Sequence, residues 1–170
     1  MSKMTLATIL IIVIGFVSCN TNGDSAQRLG EQNKAVVDRY LKSALAGDFK
    51  SMGETMADNY MIHGPAMKKS LNKVQKLQDW ENFFKSNNML KYDRINALAV
   101  SVQEGKLAGD WVYEWGIFSF TSKDVGLPVS IRSHGAYKLK MGKIEDITVY
   151  QNNADAMEQQ GFKFVPPNEK

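Results

Sequence analysis

Lys106 to Thr121 reads KLAGDWVYEWGIFSFT, and its period of two decides the class of fold. Leu107, Gly109, Trp111, Tyr113, Trp115 and Ile117 fall on one side of an extended chain, and Val112, Glu114, Gly116, Phe118 and Phe120 on the other. Both sides are largely apolar, as expected of a central strand covered on each face. Downstream the pattern recurs: Val129 to Lys140 is a strand, Met141-Gly142 a tight turn, and Lys143 to Asn152 the returning strand. Upstream, Ile95 to Gln103 alternates more loosely and stops at the Glu104-Gly105 turn.

Before Lys91 the period lengthens to that of a helix. Val37, Tyr40, Leu41, Ala44 and Leu45 make one apolar face within Asn33 to Ala46. Gly47 ends that helix in a left-handed cap, and Asp48 is placed to cap a short second one with Phe49, Met52 and Met56 on its buried side. Asp58 to His63 is a short strand stopped by Gly64-Pro65. A third helix runs from about Asn72 to Ser86, with Val74, Leu77, Trp80 and Phe84 at helical steps. Helices first and antiparallel strands after them indicate an α+β fold.

The chain opens on a different signal. Lys3 is followed by the apolar run Leu6 to Val17, then Ser18 and the only cysteine, Cys19. The run is short for a membrane span and matches a secretory signal. Phe16-Val17-Ser18-Cys19 resembles a bacterial lipobox, which implies cleavage after residue 18, lipidation of Cys19 and a periplasmic, membrane-anchored domain. The polar residues 19–31 then read as a tether, residues 32–164 as one domain, and 165–170 as a disordered tail. With the thiol carrying lipid, no disulfide forms. The formal charge is +3, and no basic block stands out, so nucleic acid has no electrostatic footprint.

Four short motifs occur in order. They are Ala44-Leu45-Ala46-Gly47-Asp48, Asp58 to Pro65 with Tyr60 and His63, Gly142-Lys143-Ile144-Glu145, and Ala156 to Gly161. Together they resemble the SnoaL-like (polyketide cyclase-like) group of the NTF2-like superfamily. The resemblance implies three helices packed in a strongly curved antiparallel sheet shaped as a cone, a small apolar or aromatic ligand in its mouth, and no cofactor. It also implies homodimers through the outer sheet face, for which Val112, Phe118 and Phe120 are candidates; intramolecular cover of those residues is the alternative.

Polar residues in apolar stretches are the site candidates. For acid–base work these are His63, Asp146 and His134, since a neutral histidine can move a proton near pH 7. Arg132, Tyr150 and Asn152 are polar ligand contacts, and Tyr60, Trp80, Trp111, Tyr113 and Trp115 are aromatic walls. Arg132 and His134 share a face, so the guanidinium can hold an anionic oxygen beside the imidazole. A capping role for His63, and a solvated outer face for His134 continuing into Lys138 and Lys140, are the structural alternatives. Relatives of this kind carry Asp as base near the last strand; here Asn152 stands there, and an amide takes no proton. That favours a binding module over an isomerase, cyclase or hydrolase. Glu114 is costly to bury alone and needs a partner, for which Arg132 or Lys138 is the candidate. Neither histidine has a carboxylate at metal-ligand spacing, and no Gly-x-Ser-x-Gly elbow occurs.

Overall fold

The structure, a computed structural model, describes residues 21–165. The signal segment 1–18, Cys19 and residues 166–170 lie outside the described residues. The elements are α1 (Thr21–Ala46), α2 (Phe49–Glu54), β1 (Met56–His63), β2 (Ser70–Asn72), α3 (Lys73–Ser86), β3 (Asn87–Val102), β4 (Gly109–Ser122), β5 (Pro128–Lys140), β6 (Lys143–Gln151) and α4 (Asn153–Gln159).

Local chemistry sets most boundaries. Gly47 closes α1 at φ +72°, and the Asp48 side chain accepts the Ser51 N–H at 3.0 Å to start α2. Asn72 and Gln75 form a reciprocal capping box on α3, each side chain accepting the other's backbone N–H at 3.0 Å. Met141 and Gly142, both at positive φ, turn β5 into β6.

One boundary differs. Residues 21–31, expected within a flexible tether, form the first part of α1. Their composition is poor in helix formers, but adding a turn to an existing helix costs far less than starting one. Gly30 also lets the helix lie close on β3: a Cβ there would stand 3.1 Å from that of Ala99.

The six strands run in the order β2-β1-β6-β5-β4-β3. All neighbours are antiparallel except β1 and β6, which are parallel, so the sheet is mixed where antiparallel pairing was expected. Strands β3 to β6 follow one another by turns and must alternate in direction. β1 pairs with the edge of β6, the last strand in the chain, and nothing in its own residues dictates that pairing. A bulge in β3 between Arg94 and Asn96 leaves Ile95 as the extra residue. It keeps Arg94 on one face and sends Asn96 and Leu98 to the other.

The helices cover a single face of this sheet. Val37, Tyr40 and Ala44 of α1 pack with Met52, Met56, Tyr60, Ile62, Val112, Tyr137, Leu139, Ile144 and Ile147. A second cluster joins Phe120, Val129, Ile131 and Ala156 with Phe83 and Phe118. The even residues of β4 thus point at the helices, and its odd residues do not. Val112 and Phe120 are buried within the chain, and Phe118 packs against Trp80 and Phe83 with ring centroids 6.0 and 5.7 Å apart. These three side chains are therefore core and unavailable to a dimer. Val74 is another reversal: it is exposed, because α3 turns Leu77 and Trp80 inward instead.

Candidate functional site

The helix-covered face of the sheet carries a buried polar centre around Glu114, which is 1% exposed. The Tyr137 hydroxyl donates to its Oε1 at 2.7 Å, and Arg94 donates to Oε2 from Nη2 at 2.9 Å and from Nε at 3.3 Å. Arg94 also pairs with Asp38 on α1, which links the helix to the sheet. Two glycines make room for this. A Cβ on Gly135 would lie 2.6 Å from the Tyr137 ring, and one on Gly116 would lie 2.3 Å from that of Tyr92. Each phenol thus lies flat over a glycine on its way to the carboxylate.

Burial holds the Glu114 carboxyl above its ordinary value, although Tyr137 and Arg94 pull it down. Burial likewise lifts Tyr40 to about 12, and raises Tyr60, Tyr92 and Tyr137, so all four phenols stay neutral donors. The Tyr40 and Tyr60 hydroxyls share a hydrogen bond of 3.1 Å. Two further donors point into this region without a close hydrogen bond among the described residues: Trp80 Nε1, near the Tyr40 hydroxyl, and the Tyr92 hydroxyl, near the Glu114 carboxylate.

Of the expected site residues, only Tyr60 and Trp80 belong to this interior. The others emerge on the opposite, outer face or at its end. His63 and Asp146 do meet: His63 Nε2 lies 3.0 Å from Asp146 Oδ2, and its Nδ1 lies 3.0 Å from Ser70 Oγ. Register explains the contact, since β1 pairs Met61 with Asp146 and His63 with Ser70 across its two edges. Ile62 and Ile147 lie in the core, so by alternation His63 and Asp146 face outward. Asp146 therefore does not face the helix-covered interior.

Trp111, Tyr113, His134 and Trp115 also stand on the outer face, as one stacked row. Ring centroids are 6.1 Å apart for Trp111–Tyr113, 6.4 Å for Tyr113–His134 and 5.0 Å for Trp115–His134, with interplanar angles of 16°, 19° and 12°. Lys138 Nζ lies 5.6 Å over the Trp111 ring. Glu114 pairs with Gly135 across β4 and β5, so Arg132 and Lys138 are on the wrong face to reach it. The partners of Glu114 are instead Arg94 and Tyr137, from inner positions. The Asn152 side chain accepts the Asp155 N–H at 3.1 Å and caps α4.

Sequence reasoning missed Arg94, Tyr92, Tyr137 and Asp38. The isolated Glu114 was the available signal. Its partners depend on the bulge at Ile95 and on register, neither of which leaves a mark in the sequence. Among the described residues no group of three His, Cys, Asp or Glu side chains is placed to hold a metal ion.

No protein-family model and no curated protein matches the sequence. Solved structures do match. A hypothetical protein of ketosteroid isomerase-like fold from Catenulispora acidiphila, in complex with trimethylamine, superposes with a TM-score of 0.64 at 13% identity, covering 77% of this chain and 97% of that one. An epoxide hydrolase of M. tuberculosis, described as LEH-like, gives 0.62 at 11% identity, covering 77% and 90%. A protein designated a SnoaL-like polyketide cyclase from Shewanella putrefaciens gives 0.62 at 10% identity, covering 78% and 98%. Helices on one side of a curved mixed sheet, in this strand order and with these neighbours, give the chain the NTF2-like α+β fold.

Proposed function

We propose that this chain is a lipid-anchored, small-molecule-binding domain whose ligand sits against the helix-covered face of the sheet beside Glu114. The observation that carries the reading is the pair of buried donors without a close hydrogen bond, Trp80 Nε1 and the Tyr92 hydroxyl, next to an apolar wall of Phe83 and Phe118. A flat apolar ligand with one acceptor oxygen satisfies both needs at once. Binding is favoured over acid–base catalysis because Glu114 is already committed. Three donors occupy its oxygens, and Arg94 is itself tied to Asp38. Acetophenone, a neutral aromatic carbonyl, tests the site. Its titration should move the Trp80 indole N–H resonance, and Trp80→Phe should weaken binding. Shifts confined to Trp111 and Trp115 would sink the reading.

The tether is proposed from the sequence. Mass spectrometry of the mature protein should find a diacylglycerol-modified cysteine at residue 19 as the first residue, and Cys19→Ala should leave the chain unlipidated. An unmodified Cys19 in the mature chain refutes it.

A second reading, an acid–base hydrolase, rests on the Ser70–His63–Asp146 chain of hydrogen bonds. With the imidazole proton on Nε2 donating to Asp146, the Nδ1 lone pair faces the Ser70 hydroxyl and can accept its proton. A fluorophosphonate probe should then label Ser70, and His63→Ala should abolish labelling. Absence of labelling ends this reading and leaves the first untouched.

A further inference from the structure

The outer face holds a groove of about 560 Å³ across β3 to β6, separate from the Glu114 centre. That volume lies within the roughly 300–1,000 Å³ usual for small-molecule sites. From this groove we infer a second ligand site, one that takes a planar aromatic carboxylate.

Charge is the first argument. Arg132 is the one Lys or Arg side chain lining the groove among the described residues, and no carboxylate lines it. Among the described residues Arg132 makes no ion pair or hydrogen bond, whereas Arg28, Arg39 and Arg94 each have a partner. A free guanidinium at the wall of a groove without acids selects an anion, and its planar fork matches a carboxylate.

Shape and polarity supply the rest. Trp115 is 40% exposed and Tyr150 59% exposed, so two aromatic surfaces meet solvent within one groove. Trp115 is stacked on His134 at 5.0 Å and 12°, and Tyr150 is the direct cross-strand partner of His134. These rings suit a flat apolar body. His134 Nε2 is buried and has no partner among the described residues. With its proton on Nε2 it donates a second hydrogen bond to the carboxylate that Arg132 holds. Asn96, delivered to this face by the β3 bulge, adds a neutral polar contact.

The test uses the full-length chain in detergent, with 4-hydroxybenzoate as probe and 4-hydroxybenzamide as its neutral counterpart. The carboxylate should bind about tenfold or more tightly than the amide, as expected for loss of one charge-assisted pair. Arg132→Gln should erase that preference, and Trp115→Ala should weaken both probes. Arg132 is exposed and makes no contact that folding needs, so its variant reports on binding. Carboxylate binding should shift the Trp115 indole and His134 ring resonances. Equal affinity for the two probes, no binding, or shifts only at Trp80 would overturn the inference. So would sedimentation showing a dimer in which Trp115 is protected from solvent, since a second copy of the chain would then fill the groove.

Discussion

Replacing Glu114 by glutamine separates the polar centre from mere packing, because the two side chains are nearly equal in volume. The amide oxygen can still accept from Tyr137, but the amide nitrogen turns a donor toward Arg94, which is itself a donor. Removing one partner from a fully buried ion pair costs roughly 3–5 kcal/mol. Here the Arg94 side chain is 30% exposed and keeps Asp38, so the expected loss falls to about 2 kcal/mol. The pH dependence gives a second reading of the same residue. The folded-state carboxyl lies above the ordinary value of 4.5. Its titration therefore adds stability that is fully present below that value and is lost as pH rises through the folded one. The gap between wild type and E114Q should be about 2 kcal/mol where the carboxylate is ionised, and wider still as pH falls through the folded-state range toward the ordinary carboxylate value. Urea unfolding followed by far-UV circular dichroism at a series of pH values measures both. A variant within about 0.5 kcal/mol of wild type at every pH would refute the reasoning, as would a gap that widens with pH.

Other substitutions test the parts around it. Gly135→Ala should push the Tyr137 ring away from Glu114 and cost about 1–3 kcal/mol in urea unfolding, whereas Gly64→Ala, which meets nothing within 4 Å, should be nearly neutral. Asn152→Ala should lose the α4 cap and about 1 kcal/mol, read as faster amide exchange across residues 153–159. Phe120→Ala should destabilise by about 3–5 kcal/mol without changing the sedimentation coefficient of the folded chain, because Phe120 is core.

The two histidines show how far sequence reaches toward a site. His63 and Asp146 are both acid–base candidates in the sequence, and the fold joins them at 3.0 Å, though on the outer face. Arg132, His134, Tyr150 and Trp115 are among the candidates read from the sequence, and all four line one groove. What failed was the side of the sheet. Both faces of β4 are rich in aromatic and apolar residues, so alternation sorts them into two sets without saying which set meets the helices. The aromatic row Trp111, Tyr113, Trp115 looked like a cavity wall, and it is the face the helices leave uncovered.

By itself the sequence determined the elements, their order and most of their ends. Those depend on near neighbours: the left-handed glycine at 47, the capping groups at 48 and 72, the turn at 141–142 and the period of each segment. Only the tertiary structure decided the parallel pairing of β1 with β6, the inward face of β4 and the company of Glu114. Each of these is a choice between alternatives that are equal along the chain. They become unequal when α1 lands on one side of the sheet and the β3 bulge turns Arg94 toward it.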